Sequence, residues 1–146
     1  MIPFIYAASE KSVYTTAATL VNGTTVFTVS GGSVQIVSIG AVCITANGGS
    51  ATTLQYSADG TDGAAVTITG ASGALTSAAA GTTVVSVAGA LSTVPATYAN
   101  GVGIAGTVGI IVPAGIITTV VGTGPTTGTW RHFIRYIPLG PDSVVN

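Results

Sequence analysis

The hydrophobic and polar residues of the chain alternate in short runs, which is the pattern of β-strands. The clearest run is 129–138, with Trp130, His132, Ile134 and Tyr136 on one face and Arg131, Phe133, Arg135 and Ile137 on the other. Turns rich in Gly, Asn and Pro separate such runs, so we expect about nine strands. They cover residues 13–21, 25–29, 33–46, 51–57, 64–69, 82–88, 107–112, 116–121 and 129–138.

No helical period separates these runs, which favours an all-β, antiparallel fold of the β-sandwich or jelly-roll type. We expect a single sandwich domain over residues 13–139, preceded by a short N-terminal arm, 1–12, and followed by a C-terminal tail, 140–146. The arm is apolar at Ile2, Phe4 and Tyr6 but too short to fold alone. We therefore expect the arm to dock on its own domain or on a neighbouring chain.

Two local patterns predict how the strands are arranged. Asn22-Gly23 is the strongest short hairpin signal, so it predicts that 25–29 pairs back on 13–21. Residues 33–46 are apolar on both faces, so this strand is predicted to be covered on both sides or to lie at a subunit contact. Gly40 marks a predicted bulge or bend that moves the strand between sheets.

Composition supports strands and excludes several functions. Val, Ile and Thr supply 19, 13 and 24 residues, whereas Leu supplies 5. Charged residues are 5% of the chain, against roughly 25% in an average soluble domain. Three cations and a net charge of −1 cannot neutralise a phosphate backbone, so no nucleic-acid partner is expected.

The mean hydropathy of +0.72 and the uncharged stretch 63–130 raise the question of a membrane protein. Residues 103–124 are long enough to span a bilayer, but they hold six glycines and Pro113-Ala114-Gly115. They are better explained as two strands joined by a tight turn, so no membrane partner is expected. An outer-membrane barrel is a weaker alternative, because no aromatic girdle or signal peptide is visible.

Candidate chemical sites are few, and each has a simpler explanation. The Gly-rich run 101–106 lacks the strand, helix and acidic residue of a dinucleotide site. Asp59 and Asp62 fit a turn better than a calcium loop. Cys43 fits a buried small side chain, and His132 fits a packing or interface residue. We therefore expect no catalytic residue, no cofactor, no metal and no enzymatic activity.

The last strand holds two of the three cations, Arg131 and Arg135, on one face around Phe133. Either this is a solvated edge, or the arginines contact a partner's carboxylates or carbonyls. Trp130 and Tyr136 are also residue types that dominate interfaces. The candidate interface is therefore Ile2, Phe4, Tyr6, Trp130, Arg131, Phe133, Arg135 and Tyr136.

Four short segments resemble small virion proteins of tailed bacteriophages, of the capsid cement or decoration type. The segments are Val26–Gly32, Pro113–Ile117, Thr127–Trp130 and Arg135–Leu139. The resemblance implies a β-sandwich homotrimer, made in the host cytoplasm, that binds the major capsid protein on the outer surface of the virion. The alternative is a tail, fibre or adhesin-like module that binds host surface glycan, with Trp130, Tyr56 or Tyr98 as the sugar-binding aromatic.

Overall fold

The computed structural model of the chain describes residues 9–61, 63–87, 103–104, 109–124 and 126–146. Over these residues the chain forms two antiparallel β-sheets and no helix. The strands are β1 (Lys11–Tyr14), β2 (Thr25–Ser30), β3 (Val34–Thr45), β4 (Thr53–Gly60), β5 (Val66–Thr67), β6 (Thr83–Val87), β7 (Gly103–Ile104), β8 (Ile110–Val112), β9 (Gly115–Gly122), β10 (Thr129–Pro138) and β11 (Val144–Val145).

The two sheets form a β-sandwich, which confirms the predicted fold class. The six-stranded sheet has the order β1-β10-β3-β8-β7, with β6 also paired to β3, and the five-stranded sheet has the order β11-β2-β9-β4-β5. In each sheet a strand from late in the chain lies between two early ones, β10 between β1 and β3, and β9 between β2 and β4. Each predicted strand overlaps an observed one, whereas β7 and β11 were not predicted. The jelly-roll connectivity stays a prediction.

The core lies between the inner faces of the two sheets. Its largest fully buried side chains come from both of them, and include Trp130 and Tyr136 of β10, Tyr56 of β4 and Phe27 of β2. Burial of one large apolar side chain contributes about 2–3 kcal/mol to the free energy of unfolding, relative to a side chain that stays exposed. Strands with one inward face alternate as the sequence predicts, because successive side chains of a strand point to opposite sides.

A bulge in β3 explains why both faces of this strand look apolar in sequence. Opposite β10, Ser38 pairs with Arg135 but Ile36 pairs with Tyr136, which leaves Val37 as an extra residue. An extra residue reverses which positions point inward. Val34 and Ile36 therefore face the core before the bulge, and Ile39, Ala41 and Cys43 face it afterwards. The prediction that Gly40 moves the strand to the other sheet was wrong, since all of β3 stays in the six-stranded sheet.

The turn at Asn22-Gly23 is present, but the hairpin predicted around it is not. Gly23 has φ of +77°, as a tight turn requires. The turn leads from β1 in the six-stranded sheet to β2 in the five-stranded sheet, so β1 pairs with β10 instead of β2. The side chain of Asn22 binds to the five-stranded sheet, where its Oδ1 accepts a hydrogen bond of 2.9 Å from the amide of Val121 on β9. The chain thus crosses from one sheet to the other at this turn, and β1 and β2 do not form the hairpin that Asn-Gly favours.

The ends of the domain differ from the predicted boundaries. β1 begins at Lys11, two residues inside the expected arm, and residues 1–8 lie outside the described part. The expected tail is part of the fold, because β11 pairs with β2 and Val145 is 2% exposed. Asn146 exchanges two backbone hydrogen bonds with Thr28, of 2.8 and 2.9 Å. The last residues are therefore part of the sandwich and do not form a separate tail.

The segment 103–124 forms strands where the structure describes it. β8 and β9 flank Pro113-Ala114 and belong to different sheets, so the turn between them carries the chain across the sandwich. Among the described residues there is no helix long and apolar enough to cross a membrane.

Candidate interaction surfaces

The predicted interface residues of β10 divide between the two faces of this strand. Arg131 and Arg135 are exposed and Phe133 is half-buried on the outer face. Trp130 and Tyr136 are 0% and 1% exposed, because they point between the sheets. The predicted alternation is confirmed, whereas the prediction that these two aromatic residues contact a partner was wrong. The remaining predicted interface residues, Ile2, Phe4 and Tyr6, lie outside the described residues.

The buried aromatic side chains of β10 are held by hydrogen bonds at their polar ends. Trp130 donates from Nε1 to Oδ1 of Asn47 at 3.0 Å, and Nδ2 of Asn47 donates to the carbonyl of Leu75 at 3.0 Å. Tyr136 Oη accepts a hydrogen bond of 3.3 Å from the amide of Val145. A buried polar group without a partner would cost about 1–3 kcal/mol, so these bonds fix Trp130 and Tyr136 in place.

His132 joins the two sheets inside the core. Its Nδ1 lies 2.8 Å from Oη of Tyr56 on β4, and the two rings meet edge to face with centroids 5.8 Å apart. Burial lowers the pKa of His132 to about 4 and raises the pKa of Tyr56. His132 is therefore neutral at pH 7. Of its two predicted roles, packing residue and interface residue, the structure agrees with the first.

The described residues contain no cluster of three or more His, Cys, Asp or Glu side chains that would bind a metal ion. Cys43 is 1% exposed, and burial raises the pKa of its thiol. Its Sγ donates to the carbonyl of Thr45 at 3.2 Å, which confirms the predicted buried side chain. Asp62 and most of the Gly-rich run 101–106 lie outside the described residues.

A row of apolar positions crosses the outer face of the six-stranded sheet. Neighbouring strands place Tyr14 beside Phe133, Phe133 beside Gly40, and Gly40 beside Val85. We call these four residues the apolar row. Tyr14 is 67% exposed and Val85 is 50% exposed, and Ile44 on the same strand face as Gly40 is 41% exposed. The predicted alternative that β3 lies at a subunit contact stays a prediction.

Two arginines lie on either side of the apolar row along β10. Arg135 forms a salt bridge with Glu10, and both side chains remain partly exposed. Arg131 makes no ion pair within the described part of the chain. The outer face of the six-stranded sheet therefore combines exposed apolar side chains with one paired and one unpaired cation.

The outer face of the five-stranded sheet carries hydroxyl groups instead. Neighbouring strands place Thr25 beside Thr118, Thr118 beside Ser57, and Ser57 beside Thr67. We call these four residues the hydroxyl row. Thr25 and Thr67 are exposed and Thr118 is half-buried, whereas Ser57 is buried. The strands of this sheet contain one charged residue, Asp59, near the end of β4. This face is therefore neutral over most of its area.

A groove of about 370 Å³ opens between residues 13–21 and β2. Its lining includes Tyr14, Thr15, Thr16 and Phe27, with His132 among the residues that it reaches. All the lining side chains are neutral, so the groove offers hydroxyl groups and apolar surface rather than charge.

The sequence pattern missed Tyr14 and Val85 as exposed residues, and it missed Gly40 as the buried position between Phe133 and Val85. Alternation along β6 was the one signal available for Val85, because Val84 packs against the core and its neighbour must point outward. The alignment of all three with Phe133 depends on pairing between strands far apart in sequence, which periodicity does not encode.

A scan against protein-family models, a search of curated proteins and a search of solved structures found no match to this chain.

Proposed function

We propose that the chain is a structural virion protein, a cement or decoration subunit that binds the outer surface of a viral capsid. Support comes from the neutral outer face of the five-stranded sheet, together with the four segments that resemble tailed-phage virion proteins. The partner is the major capsid protein, and the protein is made in the host cytoplasm before it joins the particle. The homotrimer that sites of local three-fold symmetry favour stays a prediction.

The proposed contact uses the hydroxyl row and the apolar side chains beside it. Val120 is 36% exposed on this face, and Ile116 is partly exposed between Thr28 and Asp59 of the adjacent strands. Contacts between neutral groups are not screened by salt, because screening acts on charges. Many copies on one shell together bind with high avidity even if each copy buries a modest area.

The test uses virus particles purified from the host that carries the gene, with an antibody against the purified chain. We expect the chain to stay on the particles in about 1 M NaCl and to leave them in moderate denaturant, because neutral contacts resist screening. Particles that lack the chain, or that lose it in the salt wash, would contradict the proposal.

A lysine in the hydroxyl row tests which face binds. Thr67 is exposed on β5, so Thr67→Lys leaves the core intact but requires the ammonium group to lose water at the contact. We expect occupancy on the particles to fall about tenfold or more, since each 1.4 kcal/mol is tenfold. Ser50→Lys adds the same charge at an exposed loop position and should leave occupancy unchanged. Equal effects of the two variants would exclude this face.

The groove favours a second candidate function, a module that binds a neutral glycan. Trp130 and Tyr56, which were expected to stack on sugar, are both buried, and Tyr98 lies outside the described residues. Tyr14 replaces them as the exposed aromatic, next to the hydroxyls of Thr15 and Thr16. A glycan array would detect this function, and Tyr14→Ala should abolish any binding that the groove provides.

A further inference from the structure

The outer face of the six-stranded sheet has the features of a contact surface. The apolar row crosses four neighbouring strands, with Tyr14 and Val85 at least half exposed at its ends. Between them Phe133 is half-buried and Gly40 is buried. Gly40 keeps the centre of this face flat, because a Cβ at this position would lie 2.8 Å from Cζ of Phe133. Apolar surface is therefore exposed at both ends of the row, beside the charged groups of β10.

The charges around the apolar row are arranged unequally. On β10, Arg131 lies two residues before Phe133 and Arg135 lies two residues after it. Glu10 is bound to Arg135, so one side of the row carries both an anion and a cation. The other side carries Arg131, which has no ion-pair partner among the described residues. A partner surface with an anion opposite Arg131 would complement this charge.

We propose that the partner is a second copy of this chain, bound face to face about a two-fold axis that runs along the apolar row. Rotation about this axis reverses the strand direction, so Arg131 of each copy lies opposite the Arg135–Glu10 pair of the other. Glu10 then lies between two arginines, one from each chain. The apolar row stacks on its own copy, in the aligned arrangement of sheets about 10 Å apart.

The charges distinguish this axis from the other two-fold arrangement. An axis parallel to the strands through the centre of the row would place β10 of each copy opposite β3 of the other, with Arg131 opposite Val42. Val42 is apolar, so that arrangement gives Arg131 no anion. Of these two axes, only the one along the apolar row places Glu10 opposite Arg131.

The size of the face predicts a weak dimer. Across the strands, four strands about 4.8 Å apart span roughly 14 Å. Along the strands, the distance from Arg131 to Arg135 is also roughly 14 Å, at about 3.4 Å per residue. Such an area is well below the roughly 800 Å² per partner of a standard interface. The dimer therefore forms at high concentration, or where copies are held close together on an array. This inference does not depend on the proposed viral function.

Sedimentation equilibrium of the full chain, up to about 1 mM, tests the proposal. We expect a monomer–dimer equilibrium that weakens as salt rises from about 50 mM to about 1 M, because ion pairs between chains are screened. A monomer at every concentration would overturn the proposal. The homotrimer that the phage resemblance implies is the competing outcome, and a trimer that forms without this face would also overturn the dimer.

Charge exchange tests the contact between Glu10 and Arg131. Glu10→Arg removes the bridging anion from both symmetric clusters, so we expect the dimer to weaken about tenfold or more. Adding Arg131→Glu to that variant restores an anion between two cations, and should return affinity to near that of the original chain. Asp142→Arg makes the same charge change in the exposed C-terminal segment and should have no effect. Failure of the double variant to recover, or equal weakening by Asp142→Arg, would contradict the arrangement.

Exchange of one methyl group tests the apolar row. Val85→Thr keeps a β-branched side chain of the same shape but adds a polar group to the stacked face, so we expect the dimer to weaken several-fold. Val120→Thr makes the same change on the other sheet, where Val120 is 36% exposed, and should leave the dimer unchanged. A larger effect of Val120→Thr would place the contact on the wrong sheet and exclude the proposal.

Discussion

The two faces of β10 arise from one alternating sequence, but their environments are opposite. The side chains of the inner face are buried, and those of the outer face are at least partly exposed. On the inner face the polar ends of Trp130, His132 and Tyr136 each have a partner within the fold. On the outer face Arg131 has no ion-pair partner among the described residues, and Phe133 lies in a row whose ends are exposed. A residue type enriched at interfaces is therefore not informative until its side of the strand is known.

The largest difference between the faces is expected at two neighbouring residues. Trp130→Ala removes the largest buried side chain and leaves Oδ1 of Asn47 without its hydrogen-bond donor, so we expect about 3–5 kcal/mol of destabilisation. Arg131→Ala, one position away, should change stability by less than about 0.5 kcal/mol. Urea unfolding of both variants measures the difference. Similar losses for the two would contradict the assignment of the faces.

Acid is expected to destabilise the protein through the inner face. His132 is 5% exposed, with a pKa of about 4 in the folded chain against 6.5 for a free histidine. The unfolded chain therefore binds a proton first, and stability is lost as pH falls from about 6.5 to about 4, by up to about 3 kcal/mol. The free energy of unfolding, measured by urea denaturation between pH 6.5 and pH 4, should fall as the pH falls. His132→Leu should flatten this pH dependence, since the chain has no other histidine.

Substitution of Gly40, on the outer side of β3, is expected to destabilise the fold as much as a substitution in the core. A Cβ there would meet the Val84 carbonyl oxygen and the Phe133 ring, so Gly40→Ala should cost about 1–3 kcal/mol. Gly49 has nothing within 4 Å of the same atom, so Gly49→Ala is the matched control and should be nearly neutral. Thermal unfolding distinguishes them, and a neutral Gly40→Ala would show that the face is not tightly closed over β3.

The smallest effect concerns one hydroxyl group. Tyr136→Phe deprives the Val145 amide of its acceptor and should cost about 1 kcal/mol. Amide exchange at Val145 should accelerate, because β11 loses one of its attachments. Tyr14→Phe removes the same group from a side chain that is 67% exposed and should change neither quantity. Unchanged exchange in Tyr136→Phe would show that this bond does not hold the last strand.

The success of sequence reasoning varied with the distance between interacting residues. Alternation in 129–138 is a local property, and it predicted the two faces of β10 correctly. The bulge at Val37 could not be predicted, because it depends on how β3 aligns with a strand almost 100 residues away. The hairpin at Asn22-Gly23 failed for a similar reason, since β10 and β9 supplied better partners for the flanking strands.

The candidate surfaces were predictable only in part. Arg131, Phe133 and Arg135 were found from composition and period, because cations are rare in this chain. Their neighbours Tyr14 and Val85 were not found, because cross-strand register places them beside Phe133 and Gly40. The hydroxyl row was missed for the same reason, since Thr25 and Thr67 come together through two intervening strands.

The insertion of late strands between early ones has a consequence for synthesis. As the chain leaves the ribosome, β1 and β3 are made long before β10, and β2 and β4 are made before β9. Until β9 and β10 are made, β1 and β2 have no partner strand, and β3 and β4 are paired along one edge only. The backbone groups of these open edges can therefore pair with other nascent chains. Slow release or truncation before residue 129 should therefore yield aggregates rather than a partial sandwich, and assembly of the domain is a post-translational event.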